Sequence, residues 1–515
     1  MKSWQMGAIA AAIAVTVGGM GASAATLPSM YGVEVWLDAT DATTLTLSGS
    51  DVTQWDDKSG NGHHATPASG SPTLVSGAIG SQDAVRFNFQ PLNLAGDLGI
   101  ATSGDRTVVT VMNYSTLNNN SEYFGTNTGS MLDVGTWMGA QRLRVRNGGS
   151  EVYSPLGSVP TSADTVLIVN GNGSGVTATR NGATIIDNPS TSAFGYSLGT
   201  GVQVGGANFV GREYVGDMAE MIVYDRQLNS YELNELGYAL QTKYNLTGSF
   251  TAPTTPVTSG LTVWLDSSDA SSLTVSSGEV TQWNDKSGNG HHATPLSNGP
   301  TLVENALNGR TALQFTQAPD GQGNPGQTMQ LAGNLGIAAN QQRTVFIVLK
   351  TDVNVDNNQL FGPNGSQMLD LGTWIPTGSA NDRLRFRDGS DNVFSAEGDY
   401  PRGISILTAM GSATDTDAWF NGQQIVDSTT AAFEYALGTG VKLGGTDYPS
   451  ATDLRNFEGL IAEVLIYDRA LTADELNEVG YYLEQKYLLD TAYVPEPGTC
   501  VMLMIGVAGL MRRRR

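Results

Sequence analysis

The chain has 515 residues, enough for two or more domains, each with a core of its own. Its 27 Lys and Arg stand against 49 Asp and Glu, a formal charge of −22, which excludes a basic nucleic-acid-binding surface. Only 15% of residues are charged and 63 are glycine, a composition that points to an all-β protein with many turns rather than to helices.

The N-terminus reads as an export signal. Lys2 precedes an apolar run over residues 6–20 and then Ala22-Ser23-Ala24, so cleavage by signal peptidase is expected after Ala24. The single cysteine, Cys500, lies near the other end, and the folded part of an exported chain therefore has no disulfide to stabilise it.

The body is a duplication. Residues 53–67 read TQWDDKSGNGHHATP and residues 281–295 read TQWNDKSGNGHHATP, differing only at Asp56 against Asn284, and all four histidines lie in these copies. Two units follow, at 25–248 and 259–493, joined by a Pro- and Thr-containing linker over 249–258. Apolar runs at 107–112 and 344–349 have strand length and suit strands covered on both faces. Asn181-Gly182 and Asn421-Gly422 predict tight hairpins, because that turn needs two residues tolerant of positive φ. Each unit ends in a helix with a capping pair, Asn229 with Glu232 and Thr472 with Glu475, whose apolar stripe predicts packing on its own sandwich and requires no partner helix.

The opening Trp-Leu-Asp (Trp36 to Asp38, Trp264 to Asp266), the W-x-D-x-S-G-N-G-x-H-A loop and the closing Ala-Glu-x-x-x-Tyr-Asp-Arg-x-Leu resemble the laminin-G-like, concanavalin-A-like jelly-roll family. The resemblance implies two tandem antiparallel β-sandwich domains, each closed by one C-terminal helix, with ligand and calcium sites in rim loops. The tail over 494–515 holds Pro495-Glu496-Pro497, an apolar segment and a terminal Arg cluster, and resembles the PEP-CTERM sorting signal. That implies handling by an exosortase, transient membrane insertion of the tail, and a place in the cell envelope, at the cell surface or in the extracellular matrix of a Gram-negative-type bacterium.

Three sets of residues could carry chemistry. Asp57, Ser59 and Asn61, like Asp285, Ser287 and Asn289, present oxygens at alternate positions before a glycine. They form either half of a calcium loop, to be completed from elsewhere, or an Asx turn that satisfies its own backbone. Arg142, Arg144 and Arg146, like Arg383, Arg385 and Arg387, alternate with apolar residues, which places three guanidinium groups on one strand face. Such a stripe suits an acidic polysaccharide or cross-pairs with carboxylates on neighbouring strands, and Trp137 and Trp374 offer either stacking rings or core packing. Glu220 and Asp225, like Glu463 and Asp468, are five apart and fall on opposite strand faces, and no Glu-x-Asp-x-Glu occurs. A non-catalytic, polysaccharide-binding surface protein is therefore expected. The alternatives are a structural adhesion protein without a soluble ligand and a polysaccharide hydrolase.

Overall fold

The computed structural model describes residues 27–493 apart from 115–120, 128, 136–140, 209, 256, 317–326, 352–357, 374–381, 400–401 and 446–455. The expected leader with Ala24, the tail with Pro495, Glu496 and Pro497, Trp137 and Trp374 lie outside the described residues.

The protein is built almost wholly from antiparallel strands, in two copies of one sandwich. In the first unit the strand Val215–Tyr224 pairs with Arg106–Tyr114 on one side and with Val33–Asp38 and Gln82–Asn88 on the other. Arg106–Tyr114 pairs in turn with Thr165–Gly171. All ten residues of Val215–Tyr224 are buried, because this layer is covered twice. One face meets a second layer through a core containing Val35, Val108, Met112, Leu167, Leu132, Leu143 and Val145. The other face, with Trp36, Val109, Val111 and Ile222, carries the closing helix. Double cover is the physical reason for the unbroken apolar runs. The second layer is a meander of Ser121–Asn127, Ser130–Gly135, Arg142–Asn147 and Ser150–Tyr153. The second unit repeats this with Arg343–Thr351 and Gly459–Tyr467 at its centre, and with Asn358–Asn364, Gln367–Thr373, Asp382–Asp388 and Asp391–Phe394 as its meander.

Local chemistry agrees with the topology. Asn181 and Gly182 have φ of 48° and 84° and join Arg180 to Ala183 across a two-residue turn, and Asn421 and Gly422 do the same at 49° and 78°. The helices α1 (Ser230–Lys243) and α2 (Ala473–Tyr487) each begin with a complete capping box. Leu236 and Leu240 of α1 enter the core beneath it, each worth about 2 kcal/mol in area removed from water. Gly237 and Gly480 are needed at the helix surface. A Cβ there would lie 2.3 Å from the ring of Phe250 or of Tyr493, which occupy those seats.

Two contacts add to what the local patterns convey. The linker is docked at both ends, with Phe250 buried in the core of the first unit and Val257 in that of the second. The helices also meet each other, a contact that their apolar stripes do not require. Tyr231 of α1 packs edge-on against Tyr482 of α2 at 5.4 Å, and Asn229 donates to the Gln485 carbonyl at 2.8 Å. Arg310 of the second unit, fully buried, pairs with Glu235 of α1 and donates to the carbonyls of Pro28 and Lys486 at 3.0 Å each. Aromatic and ionic contacts thus tie the units together across α1 and α2.

Candidate functional site

The Arg-bearing strands lie in the meander layers, where the expected alternation holds: Leu143, Val145, Leu384 and Phe386 enter the cores. Residues in register share a face, so the opposite side of the first meander carries the row Glu122, Asp133, Arg144, Tyr153. A second row holds Met131, Arg146 and Glu151. The equivalent rows of the second unit are Gln359, Asp370, Arg385, Phe394 and Met368, Arg387, Asn392.

An evenly exposed stripe of three guanidinium groups is not what these rows present. Arg144 and Arg385 are buried, because each has a carboxylate directly opposite on the next strand. Arg144 donates through Nε to Asp133 at 2.7 Å and reaches Glu151 at 3.4 Å, and Arg385 donates through Nε to Asp370 at 2.9 Å. The outer arginines differ from these. Arg142 lies over the Tyr153 ring at 4.3 Å, and Arg383 lies over the Phe394 ring at 4.4 Å, both only partly buried. Arg146 pairs with Glu151 at 3.1 Å, whereas Arg387 meets Asn392 in register and donates to the Gly389 carbonyl at 3.2 Å.

Glu122 escaped the sequence reading, since it stands alone in a polar stretch with no patterned neighbour. It is fully buried, and neither carboxyl oxygen has a hydrogen-bond partner among the described residues. Burial pushes its pKa up to about 8, with the nearby Asp133 adding to the rise against Arg212 and Arg144. Burial likewise lifts Asp133 to about 6, opposed by Arg144. The neutral Gln359 occupies the matching place in the second unit.

The Asp-x-Ser-x-Asn loops close on themselves. Asp57 Oδ1 accepts from the Trp36 and Ser59 amides at 2.9 Å each, and Oδ2 accepts from the His63 amide at 3.0 Å and lies 2.7 Å from the Ser59 hydroxyl. Asn61 donates to the Val33 carbonyl at 2.9 Å. Asp285, Ser287 and Asn289 repeat the pattern against Trp264, His291 and Leu261. Each loop thereby pins its turn to the first strand of its unit. Among the described residues no group of three or more His, Cys, Asp or Glu is placed to hold a metal ion. The histidines divide their work: His63 is buried with Nδ1 2.7 Å from the Ala95 carbonyl, and His64 Nδ1 accepts from the Asp57 amide at 3.1 Å.

Glu220 and Glu463 sit under the helices. Glu220 takes the Trp36 indole N–H at 2.7 Å, the Lys243 ammonium at 2.8 Å and the Tyr244 hydroxyl at 2.9 Å. Glu463 takes the same three types of donor from Trp264, Lys486 and Tyr487, with Tyr482 as a fourth. These carboxylates fasten α1 and α2 to their sheets and leave the motifs Trp-Leu-Asp and Ala-Glu with a scaffold role.

Comparison with known proteins adds one sequence identity. Residues 494–515 match the PEP-CTERM protein-sorting motif. No curated protein matches the chain in sequence. Among solved structures, domain 4 of the extracellular GH43 arabinanase AbnA from Geobacillus stearothermophilus, in complex with arabinotriose, aligns at 16% identity and TM-score 0.31, over 43% of this chain and 98% of that one. The CBM40 of a Ruminococcus gnavus sialidase, bound to α2,3-sialyllactose, aligns at 17% identity and TM-score 0.22, over 26% and 81%. A Bacteroides ovatus protein described as a putative carbohydrate-binding protein aligns at 18% and 0.25, over 32% and 46%. Alignments this loose carry no argument about what this chain binds. Among the described residues no helix is long and apolar enough to cross a membrane.

Proposed function

We propose that the protein is exported to the cell envelope or surface of a Gram-negative-type bacterium and binds polysaccharide there, without catalysis, through the meander faces of two laminin-G-like units. The sorting motif supports export and recognition by an exosortase. One observation carries the binding reading: at equivalent places in both units a partly buried guanidinium lies over an aromatic ring, Arg142 on Tyr153 and Arg383 on Phe394. A flat apolar ring edged by hydrogen-bond donors suits a sugar ring and its oxygens. Of the carboxylates considered as catalytic, Glu220 and Glu463 are committed to the helices, which supports a binding role over hydrolysis.

The docked linker fixes how two such faces are held, so avidity for a repeating polymer depends on its spacing matching theirs. Co-sedimentation of the full chain with cross-linked polygalacturonate, dextran sulfate and dextran tests the reading. Retention by at least one polymer is expected, and absence of retention by all three contradicts it.

A further inference from the structure

The two meander faces differ in charge in a consistent direction. At the position opposite the central aspartate, the first unit has Glu122 and the second Gln359. At the position opposite the last arginine, the first has Glu151 and the second Asn392. Both changes replace a carboxyl group by a carboxamide on the same face, while Asp133 and Asp370, and all three arginines, are kept. The consequence is local. Arg146 is held by Glu151 at 3.1 Å, but Arg387 faces the exposed, uncharged Asn392, whose amide donates to the Ser390 carbonyl. Among the described residues the contacts of Arg387 are to the backbone carbonyls of Gly389 and Gly365, and no carboxylate on that row compensates its positive charge. Asp388 and Asp391, at the adjacent hairpin end, alternate onto the other face.

We propose that the units have divided their ligands by charge: the second unit binds the carboxylate or sulfate of an anionic polysaccharide through Arg387 beside the Arg383–Phe394 platform, and the first unit, with Arg146 already neutralised by Glu151, does not. This inference rests on the polysaccharide-binding reading above and adds the class of sugar and the unit that takes it. A guanidinium on a surface row gains from an anionic partner only if no internal carboxylate competes for the same donors. Glu151 is such a competitor and Asn392 is not.

The test uses the full chain and three polymers, polygalacturonate for carboxylate, dextran sulfate for sulfate and dextran as the uncharged control, at two salt concentrations. Asn392→Glu installs the first unit's residue in the second and should weaken binding of the anionic polymer about tenfold, the loss expected for one charge-assisted contact, with dextran binding unchanged. Glu151→Asn should give the first unit an anionic site and raise capacity towards two per chain. Both positions lie outside the cores, and unchanged melting temperatures exclude misfolding as the cause. The better binder of the two anionic polymers identifies the anion. Anionic binding that survives Asn392→Glu, or dextran binding equal to that of both charged polymers, overturns the division but leaves polysaccharide binding standing. No binding to any polymer by the unaltered chain overturns both.

Discussion

Lys243, at the end of α1, places its ammonium 2.8 Å from Glu220 and 2.9 Å from Asp38, so the last turn of the closing helix is fastened to two strands of the sheet below it. Lys486 repeats this with Glu463 and Asp266, at 2.8 Å to each. Removing one partner of a buried cluster leaves charge without compensation, a cost of about 3–5 kcal/mol. Lys486→Met, where the ammonium is fully buried, is expected to destabilise the second unit by that amount in denaturant unfolding. Lys243→Met should cost less, because the Lys243 side chain is 17% exposed where that of Lys486 is 1% exposed, so water screens the charge left behind.

Glu122 gives the first unit a pH dependence that the second lacks. Its carboxyl, raised from an ordinary 4.5 to about 8 by burial, keeps a proton in the folded protein that the unfolded chain has already lost. Stability is therefore expected to fall as pH rises between those values and to level off above them, the slope following the excess of protons bound by the folded state. Glu122→Gln, which copies Gln359, should flatten this part of the profile and make the protein more stable than the unaltered chain at pH 8, because the carboxamide has no proton to lose. Melting temperature against pH for the two proteins measures it. Profiles that run parallel would contradict the assignment.

The junction between units predicts coupled unfolding. Arg310 is buried between Glu235 of the first unit and the Lys486 carbonyl of the second, beside the Tyr231–Tyr482 contact. The unaltered protein is expected to melt in one calorimetric transition. Arg310→Ala should break it into two, since it leaves Glu235 without its ion-pair partner and two carbonyls without their donor.

For the Asp57 and Asp285 loops the geometry predicts no calcium dependence. Their carboxylate oxygens already accept donors from the turn and from Trp36 or Trp264, and a cation would have to displace them. Melting temperature in millimolar calcium should equal that in chelator, and Asp57→Ala should cost about 2 kcal/mol through the amides it orphans. A calcium-dependent rise would restore the ion-binding reading.

Much of the fold was legible because it is written in short-range patterns. The doubly covered strands showed in the runs at 107–112 and 344–349, the hairpins in Asn181-Gly182 and Asn421-Gly422, and the helix starts in Asn229 with Glu232 and Thr472 with Glu475. The alternation of Arg142 to Arg146 gave the correct face, but not what that face meets. Asp133 is eleven positions from Arg144, and its role depends on strand register, which spacing alone does not encode. Glu122 and Glu151 were invisible for the same reason. The seat of Phe250 on Gly237 and the meeting of Tyr231 with Tyr482 are products of tertiary packing, and no local period announces them.

Affinity electrophoresis of the full chain tests most directly whether the guanidinium–aromatic platforms bind polysaccharide. Unaltered protein should be retarded in gels containing polygalacturonate or dextran sulfate, and the double variant Arg142→Ala with Arg383→Ala should migrate as in a polymer-free gel. Equal retardation of the two proteins would place binding elsewhere and contradict the account.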